Sequence, residues 1–119
     1  MWEMEAAMLR SYRRAADKVS PQTQGNFLLS ANIKDAFVKE FMKNMQERRP
    51  TIETEIQKGG YRNNYTTLTD NVYKKIEERI RAELTSALVQ QQDTVTIQKF
   101  IRNIGQELRS VFYDNYSLR

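Results

Sequence analysis

The sequence contains no cysteine and no histidine among its 119 residues. Without cysteine there is no disulfide framework, no zinc–thiolate cluster and no thiol nucleophile. Without histidine the chain lacks the side chain that most often acts as a general base near neutral pH. The carboxylate pairs Glu53/Glu55 and Glu77/Glu78 do not replace it, because adjacent and alternate residues of a helix do not share a face. We therefore expect no enzymatic activity, no metal ion and no directly bound cofactor.

Long apolar runs are also missing. The longest are only a few residues, such as Phe27-Leu28-Leu29, whereas a membrane-spanning helix needs roughly 20. Hydrophobic residues make up 39% of the chain and charged residues 29%, which is enough apolar material for a core and argues against wholesale disorder. The composition predicts one compact folded unit.

The basic excess is small and evenly spread. Lysine and arginine number 19 against 15 acidic residues, a formal net charge of +4 that divides equally between the two halves of the chain. This distribution does not favour nucleic-acid binding, which usually needs a basic patch or tail. The densest cluster is Arg10, Arg13, Arg14 and Lys18, opposed by Asp17. It fits either a solvated helix face or a docking face for an acidic partner.

Only four glycines and two prolines interrupt the chain, and they divide it into helical pieces. Within each piece apolar residues recur at three- and four-residue steps, the spacing of one helix face. No strand-like alternation persists, so the predicted class is all-α. The predicted helices run from about Glu3 to Lys18, Phe27 to Glu47, Ile52 to Leu88 and Val95 to Tyr113.

The breaks between these helices carry their own expectations. Pro21 should stop the first helix, because the residue before a proline disfavours helical backbone. The Gly59-Gly60 pair either ends one helix or lies inside a continuous one, and the long apolar stripe that follows favours the continuous helix. Asp93 or Thr94 is predicted to cap the last helix. The residues of that helix expected to face inward are Val95, Ile97, Ile101, Ile104, Leu108 and Phe112.

Two stretches of the first half resemble a known family. The first helix carries Leu9-Arg10-Ser11-Tyr12-Arg13-Arg14; the second carries Ile33-Lys34-Asp35-Ala36-Phe37 and then Phe41-Met42-Lys43-Asn44. Over about residues 6–80 this order resembles the mitochondrial LYR-motif proteins, small basic three-helix proteins with a leucine-tyrosine-arginine signature and a phenylalanine ending the second helix. Ser11 stands where the family usually has leucine, and either Phe37 or Phe41 matches the family phenylalanine.

The resemblance implies a fold and a role. The fold would be a three-helix antiparallel LYR-like bundle over residues 1–90, with an additional C-terminal helix in residues 91–119. Phe41 to Asn44, with Pro50 and Lys58-Gly59, is most similar to the accessory subunit of respiratory complex I (NADH dehydrogenase), and residues 33–37 are equally similar to the LYR partner of the iron–sulfur desulfurase. The expected role is a non-catalytic subunit on the matrix side of the inner membrane, attached to the membrane only through the complex and without nucleic acid.

The implied partner is an acidic acyl carrier protein, which would supply an acyl-phosphopantetheine group that this chain does not bind on its own. Reversing the charges of Arg13 and Arg14 is expected to weaken carrier binding. The residues expected to bind the carrier are Arg10, Tyr12, Arg13, Arg14, Lys34 and Lys39. The residues expected to line a channel for the acyl chain are Leu9, Tyr12, Phe37, Phe41, Met45 and Tyr65.

Two alternative functions remain open from the sequence. One is an LYR-type assembly factor that chaperones iron–sulfur or respiratory-complex subunits, for which association would be transient. The other is a small helical nucleic-acid-binding protein or a viral or phage regulator, supported mainly by the positive net charge. Salt-dependent DNA binding without any carrier protein would favour the latter.

Overall fold

The computed structural model describes residues 2–23, 29–59, 65–90 and 93–114. All secondary-structure elements in these ranges are helices, which confirms the predicted all-α class, and none of these helices is long and apolar enough to cross a membrane. The helices are α1 (Trp2–Thr23), α2 (Ala31–Glu47), α3 (Arg49–Lys58), α4 (Tyr65–Glu83), α5 (Ser86–Val89), α6 (Thr94–Glu107) and α7 (Arg109–Asp114).

Helices α1 and α2 form an antiparallel hairpin. The Lys18 ammonium contacts the Glu40 carboxylate at 2.9 Å, and one turn earlier Arg14 donates to the Asn44 side chain at 3.1 Å. As the residue number falls along α1, it rises along α2, so the two helices run in opposite directions. This register determines which residues of α1 and α2 lie at the same height along the hairpin axis.

Helix α4 packs on the other side of α2, also antiparallel to it. The Tyr73 hydroxyl donates to the backbone carbonyl of Met45 at 2.7 Å, and Arg81 pairs with Asp35 at 2.6 Å. Burial raises the pKa of Tyr73, so its hydroxyl stays protonated and able to donate this bond. Helix α4 therefore runs in the same direction as α1.

Helix α6 closes the ring of four long helices, since it contacts both α1 and α4. Arg13 donates to the Thr94 hydroxyl at 3.0 Å, while Gly105 lies against Glu5, so α6 runs antiparallel to α1. The result is an up-down-up-down four-helix bundle of α1, α2, α4 and α6 in a molecule 54 Å long and about 20 Å thick. The boundary expected near residue 90 stays a prediction.

One hydrophobic core joins these helices, and it includes residues from both sides of residue 90. The predicted stripes supply it, because the inward positions recur at three- and four-residue steps. The largest fully buried side chains are Met4, Met8, Tyr12, Phe37, Phe41, Met45, Ile52, Leu68, Ile76, Ile80, Ile97 and Ile104.

Two predicted helix ends were wrong. Helix α1 continues through Pro21 to Thr23, because a proline in the last turn removes only one backbone hydrogen bond and Val19 just before it is fully buried. Helix α2 begins at Ala31 rather than near Phe27, because the Ser30 hydroxyl accepts a hydrogen bond from a backbone N–H in the first turn. Phe27 itself lies outside the described residues.

The continuous helix favoured across Gly59-Gly60 was also wrong. Helix α3 ends with Gly59 as its C-cap, and α4 returns alongside it, so that Arg49 contacts Asp70 at 2.5 Å. In one continuous helix these two residues would be about 31 Å apart. Gly60 lies outside the described residues.

The second half of the predicted third helix also breaks. Helix α4 ends at Glu83, and the Thr85 hydroxyl caps the short α5.

The last helix begins as expected but is interrupted at Leu108, where α6 ends and α7 follows. The Asp93 carboxylate accepts from two backbone N–H groups at the start of α6, which confirms the predicted cap. The inward positions of that helix are confirmed from Ile97 onward. Val95 is 70% exposed, contrary to the prediction, because two residues correspond to about 200° of helix rotation from Ile97.

Candidate partner-binding site

Tyr12 lies at the junction of four helices. Its side chain is fully buried, and its hydroxyl donates to the backbone carbonyl of Leu88 in α5. Its ring makes edge contacts with Phe37 of α2 at 5.4 Å and with Phe100 of α6 at 5.9 Å. Burial raises the pKa of Tyr12, so the hydroxyl stays protonated. The residue expected both to bind a partner and to line a channel is thus a core residue in this arrangement.

Three of the other expected channel residues also fill the interior. The rings of Phe37 and Phe41 stack at 6.3 Å with 17° between their planes, and both side chains are fully buried. Met45 is fully buried as well. An acyl chain would reach these three side chains only if they moved.

The two remaining channel residues lie nearer the surface. Leu9 is half-buried and packs at the edge of the core. Tyr65 is 38% exposed at the first residue of α4. The structure therefore brings Tyr12, Phe37 and Phe41 together and leaves Tyr65 outside the buried core.

Arg14 is engaged with α2. Its guanidinium donates to Asn44 at 3.1 Å and lies 3.9 Å from the Glu47 carboxylate. The neighbouring Glu40 accepts from both Asn44 and Lys18, and the hydrogen bond from Lys18 lowers the pKa of Glu40. Reversing the charge of Arg14 would therefore disturb the α1–α2 hairpin as well as any partner.

Arg10 and Arg13 are exposed on successive turns of α1. Arg13 reaches across to Thr94 of α6, whereas Arg10 makes no ion pair in the described part of the chain. The antiparallel register puts Lys39 level with the C-terminal end of α1, about 13 Å along the helix axis from Arg10. Lys34, half-buried, lies one to two turns further still. Apart from Arg14, the expected cations thus divide into a pair on α1 and two lysines toward the other end of the hairpin.

Between α1 and α6 lies an imperfectly filled boundary, which we call the α1–α6 seam. It contains two cavities that are open to the surface, of about 90 Å³ and about 270 Å³. The smaller is lined by Tyr12, Arg13, Ala16, Asp17, Ser20, Val89 and Ile97. The larger is lined by Glu5, Ala6, Leu9, Gln98, Ile101 and Arg102.

Sequence reasoning missed the α6 side of this seam. It identified Leu9, Tyr12 and Arg13 on α1 but assigned no binding role to Gln98 or Arg102 on α6. The amphipathic pattern of α6 was visible, since polar residues flank its isoleucines at every turn. That pattern does not say which other helix the flanking residues face, because the choice depends on contacts about 90 residues away along the chain.

No family model, curated protein or solved structure matched this chain in our comparisons. The resemblance to LYR-motif proteins therefore rests on residues 9–14, 33–37 and 41–44 and on the order of the helices around them. Across the residues that the structure describes, no three acidic side chains are grouped so that they could hold a metal ion.

Proposed function

We propose that this protein is a non-catalytic LYR-type accessory subunit of respiratory complex I that binds an acyl carrier protein through its acyl-phosphopantetheine. The observation that carries the proposal is the position of Arg10 and Arg13. Both are exposed on α1, and Arg13 lines the smaller cavity of the seam together with the buried Tyr12. Cationic docking residues and an apolar slot on one helix are the two features that an acidic carrier with an acyl chain needs.

The charges of Arg10 and Arg13 are suited to an acidic partner. Arginine can form two parallel hydrogen bonds with a carboxylate or a phosphate, and its charge does not depend on pH in the physiological range. The bond from Arg13 to Thr94 is exposed, so exchanging it for a bond to a carrier is expected to cost little. The chain's net charge of +4 would also speed the encounter with an acidic protein.

The acyl chain would supply affinity that charge alone does not. Burying each methylene is worth about 0.8 kcal/mol, so several buried methylenes would add substantially to binding. The cavities between α1 and α6 supply apolar walls from Leu9, Ile97 and Ile101 for such a chain. On this proposal the subunit acts on the matrix side of the inner membrane and holds the carrier as part of a larger assembly.

A charge-reversal pair tests the docking face. Arg10→Glu with Arg13→Glu should weaken binding to an acylated carrier by at least about tenfold at physiological salt, because both reversed charges would face acidic groups. Lys58→Glu with Lys74→Glu makes the same change in net charge at exposed positions away from the seam, and should leave binding unchanged. Arg14 is left intact because it pairs with α2. Equal affinities for both double variants and the unaltered protein would refute the assignment.

Native co-purification tests the biological setting. The intact masses of proteins that co-purify from mitochondria should include an acidic carrier with an acylated phosphopantetheine. Stable co-migration with a large membrane complex would support a subunit, and association only during biogenesis would support the assembly factor instead. Recovery of nucleic acid without any carrier would overturn both.

A further inference from the structure

The outer side of α6, with its continuation into α7, carries positive charge. Exposed residues recur there at three- and four-residue steps and form one stripe about 15 Å long: Lys99, Arg102, Gln106 and Arg109. None of the three cations forms an ion pair within the part of the chain that the structure describes. The stripe therefore combines three positive charges with one neutral amide.

Cations on the neighbouring helix α4 meet carboxylates instead. Arg81 pairs with Asp35 of α2 at 2.6 Å, and Arg79 pairs with Glu83 one turn along α4 at 3.1 Å. The acidic residue of α6, Glu107, also turns toward α4, where its carboxylate lies 3.9 Å from Arg79. The positive charge of the α6 stripe is thus left uncompensated by its own helix.

The packing of α6 on α1 brings two more cations beside this stripe. Arg13 and Arg10 are exposed on α1. The hydrogen bond from Arg13 to Thr94 fixes the register of the two antiparallel helices, and it puts Arg10 within about one turn of Lys99 along the bundle axis. Cations that are about 90 residues apart in the sequence therefore lie on one surface.

We call this surface the cationic face, and it consists of Arg10, Arg13, Lys99, Arg102 and Arg109. Glu3 and Asp17 are exposed on the same side of α1 but lie toward its two ends, so the middle of the face stays positive. Two helices that pack side by side, about 8–10 Å apart, present a broad surface.

The breadth of the cationic face favours a planar anionic partner over the groove of a DNA duplex. The major groove is about 12 Å wide and admits a single helix. Helix α6 has α1 on one side and α4 on the other, so it does not project from the bundle as a lone helix. A flat array of phosphates meets no such obstacle.

We propose that the cationic face binds the surface of a bilayer that contains anionic phospholipids. The headgroup phosphates of such a bilayer lie in one plane, and each arginine can form two parallel hydrogen bonds with a phosphate. Each lysine or arginine held near an anionic membrane strengthens binding by about fivefold. The proposal goes beyond carrier binding, because Lys99, Arg102 and Arg109 have no part in the proposed carrier contact.

Vesicle co-sedimentation tests the choice of partner. The full-length protein should bind vesicles of equal parts phosphatidylglycerol and phosphatidylcholine at least about tenfold more tightly than vesicles of phosphatidylcholine alone. Raising the ionic strength from about 0.1 M to about 1 M should release it, because the Debye length falls from about 10 Å to about 3 Å. Equal binding to both kinds of vesicle, or to neither, would overturn the proposal.

Neutralising the α6 stripe tests the location. Lys99→Gln with Arg102→Gln should weaken binding to the anionic vesicles by at least about tenfold, since two charges are removed. Lys58→Gln with Lys74→Gln removes the same charge at exposed positions of α3 and α4, and should weaken binding by less than about threefold. Equal losses in the two variants would mean that only net charge matters, and would overturn the proposal.

A binding assay with duplex DNA tests the competing partner. If the unaltered protein binds DNA more tightly than the anionic vesicles, and the α6 variant loses that binding, the face recognises nucleic acid and the membrane proposal is wrong. Thermal melts should show the same melting temperature for the unaltered protein and both variants, because all four positions are exposed.

A single fluorescent label tests the orientation on the membrane without removing any charge. The chain has no cysteine, so Gln106→Cys or Gln46→Cys provides one labelling site. Gln106 lies on the α6 stripe, whereas Gln46 is exposed on α2, across the bundle from α6. Lipids with a nitroxide-bearing headgroup should quench the label at position 106 more strongly. Equal quenching at both positions, or stronger quenching at position 46, would overturn the proposal.

Discussion

Helix α1 packs against α2 along one side and against α6 along another, and the two interfaces are built differently. The side that faces α2 has small buried residues at four-residue steps, Ala7, Ser11 and Ala15, which allow close approach of the two helices. Arg14 and Lys18 then bond to α2 beside them. The side that faces α6 has both small and large residues and lines two cavities. The α1–α2 hairpin is thus the more closely packed part of the bundle, and the two cavities lie on the α6 side of α1.

The largest expected effect is the loss of an aromatic ring from the interior. Phe37→Ala removes a fully buried side chain that contacts both Tyr12 and Phe41, and should lower the free energy of unfolding by about 3–5 kcal/mol. Leu9→Ala, at the half-buried edge of the larger cavity, should lower it by about 1 kcal/mol, because little packing is lost there. Urea unfolding measures both. Similar losses for the two variants would contradict the contrast between interior and seam.

Enlarging the side chain at two different positions of α1 should change the stability of the protein by different amounts. Ser11→Leu inserts a larger side chain into the α1–α2 interface and should destabilise by about 1–3 kcal/mol, although it restores the leucine of the family signature. Ala6→Leu adds the same side chain beside the larger cavity and should change stability by less than about 0.5 kcal/mol.

Thermal melts of Ser11→Leu and Ala6→Leu measure this difference in stability, with Ser11→Ala as the control. The Ser11 hydroxyl is buried and has no hydrogen-bond partner in the described part of the chain, so Ser11→Ala should be neutral or stabilising. If Ser11→Leu does not lower the melting temperature, α1 and α2 are less closely packed than in this structure.

Removing the Tyr12 hydroxyl should destabilise the α1–α6 seam and leave the rest of the bundle unchanged. Tyr12→Phe keeps the ring contacts but removes the hydrogen bond to the Leu88 carbonyl, at an expected loss of about 1 kcal/mol. Amide hydrogen exchange should become faster in α5 and the start of α6 and remain unchanged in α2. Faster exchange throughout the bundle would show that the bond supports the whole fold rather than the seam.

The smallest expected effect is a pH dependence at the α1–α2 hairpin. The hydrogen bond from Lys18 lowers the pKa of Glu40 below its ordinary value of 4.5. Because the folded-state pKa is the lower one, this contribution is present above pH 4.5 and is lost as the pH falls through the folded-state pKa. Lys18 is exposed, so the contribution should be below about 1 kcal/mol.

Glu40→Gln isolates that contribution. The difference in unfolding free energy between the unaltered protein and the variant should be measurable at pH 7 and should shrink at pH 3. A difference that is the same at both values would mean that the carboxylate charge of Glu40 does not stabilise the hairpin.

Much of the fold could be predicted from local pattern. The three- and four-residue spacing of apolar residues predicted helices with one buried face, and Asp93 was recognisable as a cap because its short acidic side chain precedes an amphipathic segment. The fold-back after Gly59 could not be predicted, because the stripe downstream of it fits a continuous helix equally well. The contacts of Arg49 with Thr66, Asp70 and Tyr73 distinguish the two arrangements.

Only the α1 side of the candidate site could be predicted from the sequence. Leu9, Tyr12 and Arg13 were identified because they lie together on α1 in a recognisable order. Gln98 and Arg102 were not, because their role depends on α6 packing against α1, and no short-range signal encodes that pairing. Tyr65 has the spacing of a core residue but is exposed at the start of its helix, where fewer neighbours cover it.

By itself the amino-acid sequence determined that this chain is helical and which face of each helix is apolar, because the 3.6-residue period and the capping side chains act within a few residues. The tertiary structure alone decided that α1 packs tightly on α2 and loosely on α6, and that α3 and α4 fold back on each other. These outcomes depend on side-chain volumes and ion pairs that meet across long chain separations, so the space between α1 and α6 exists only once the bundle has assembled.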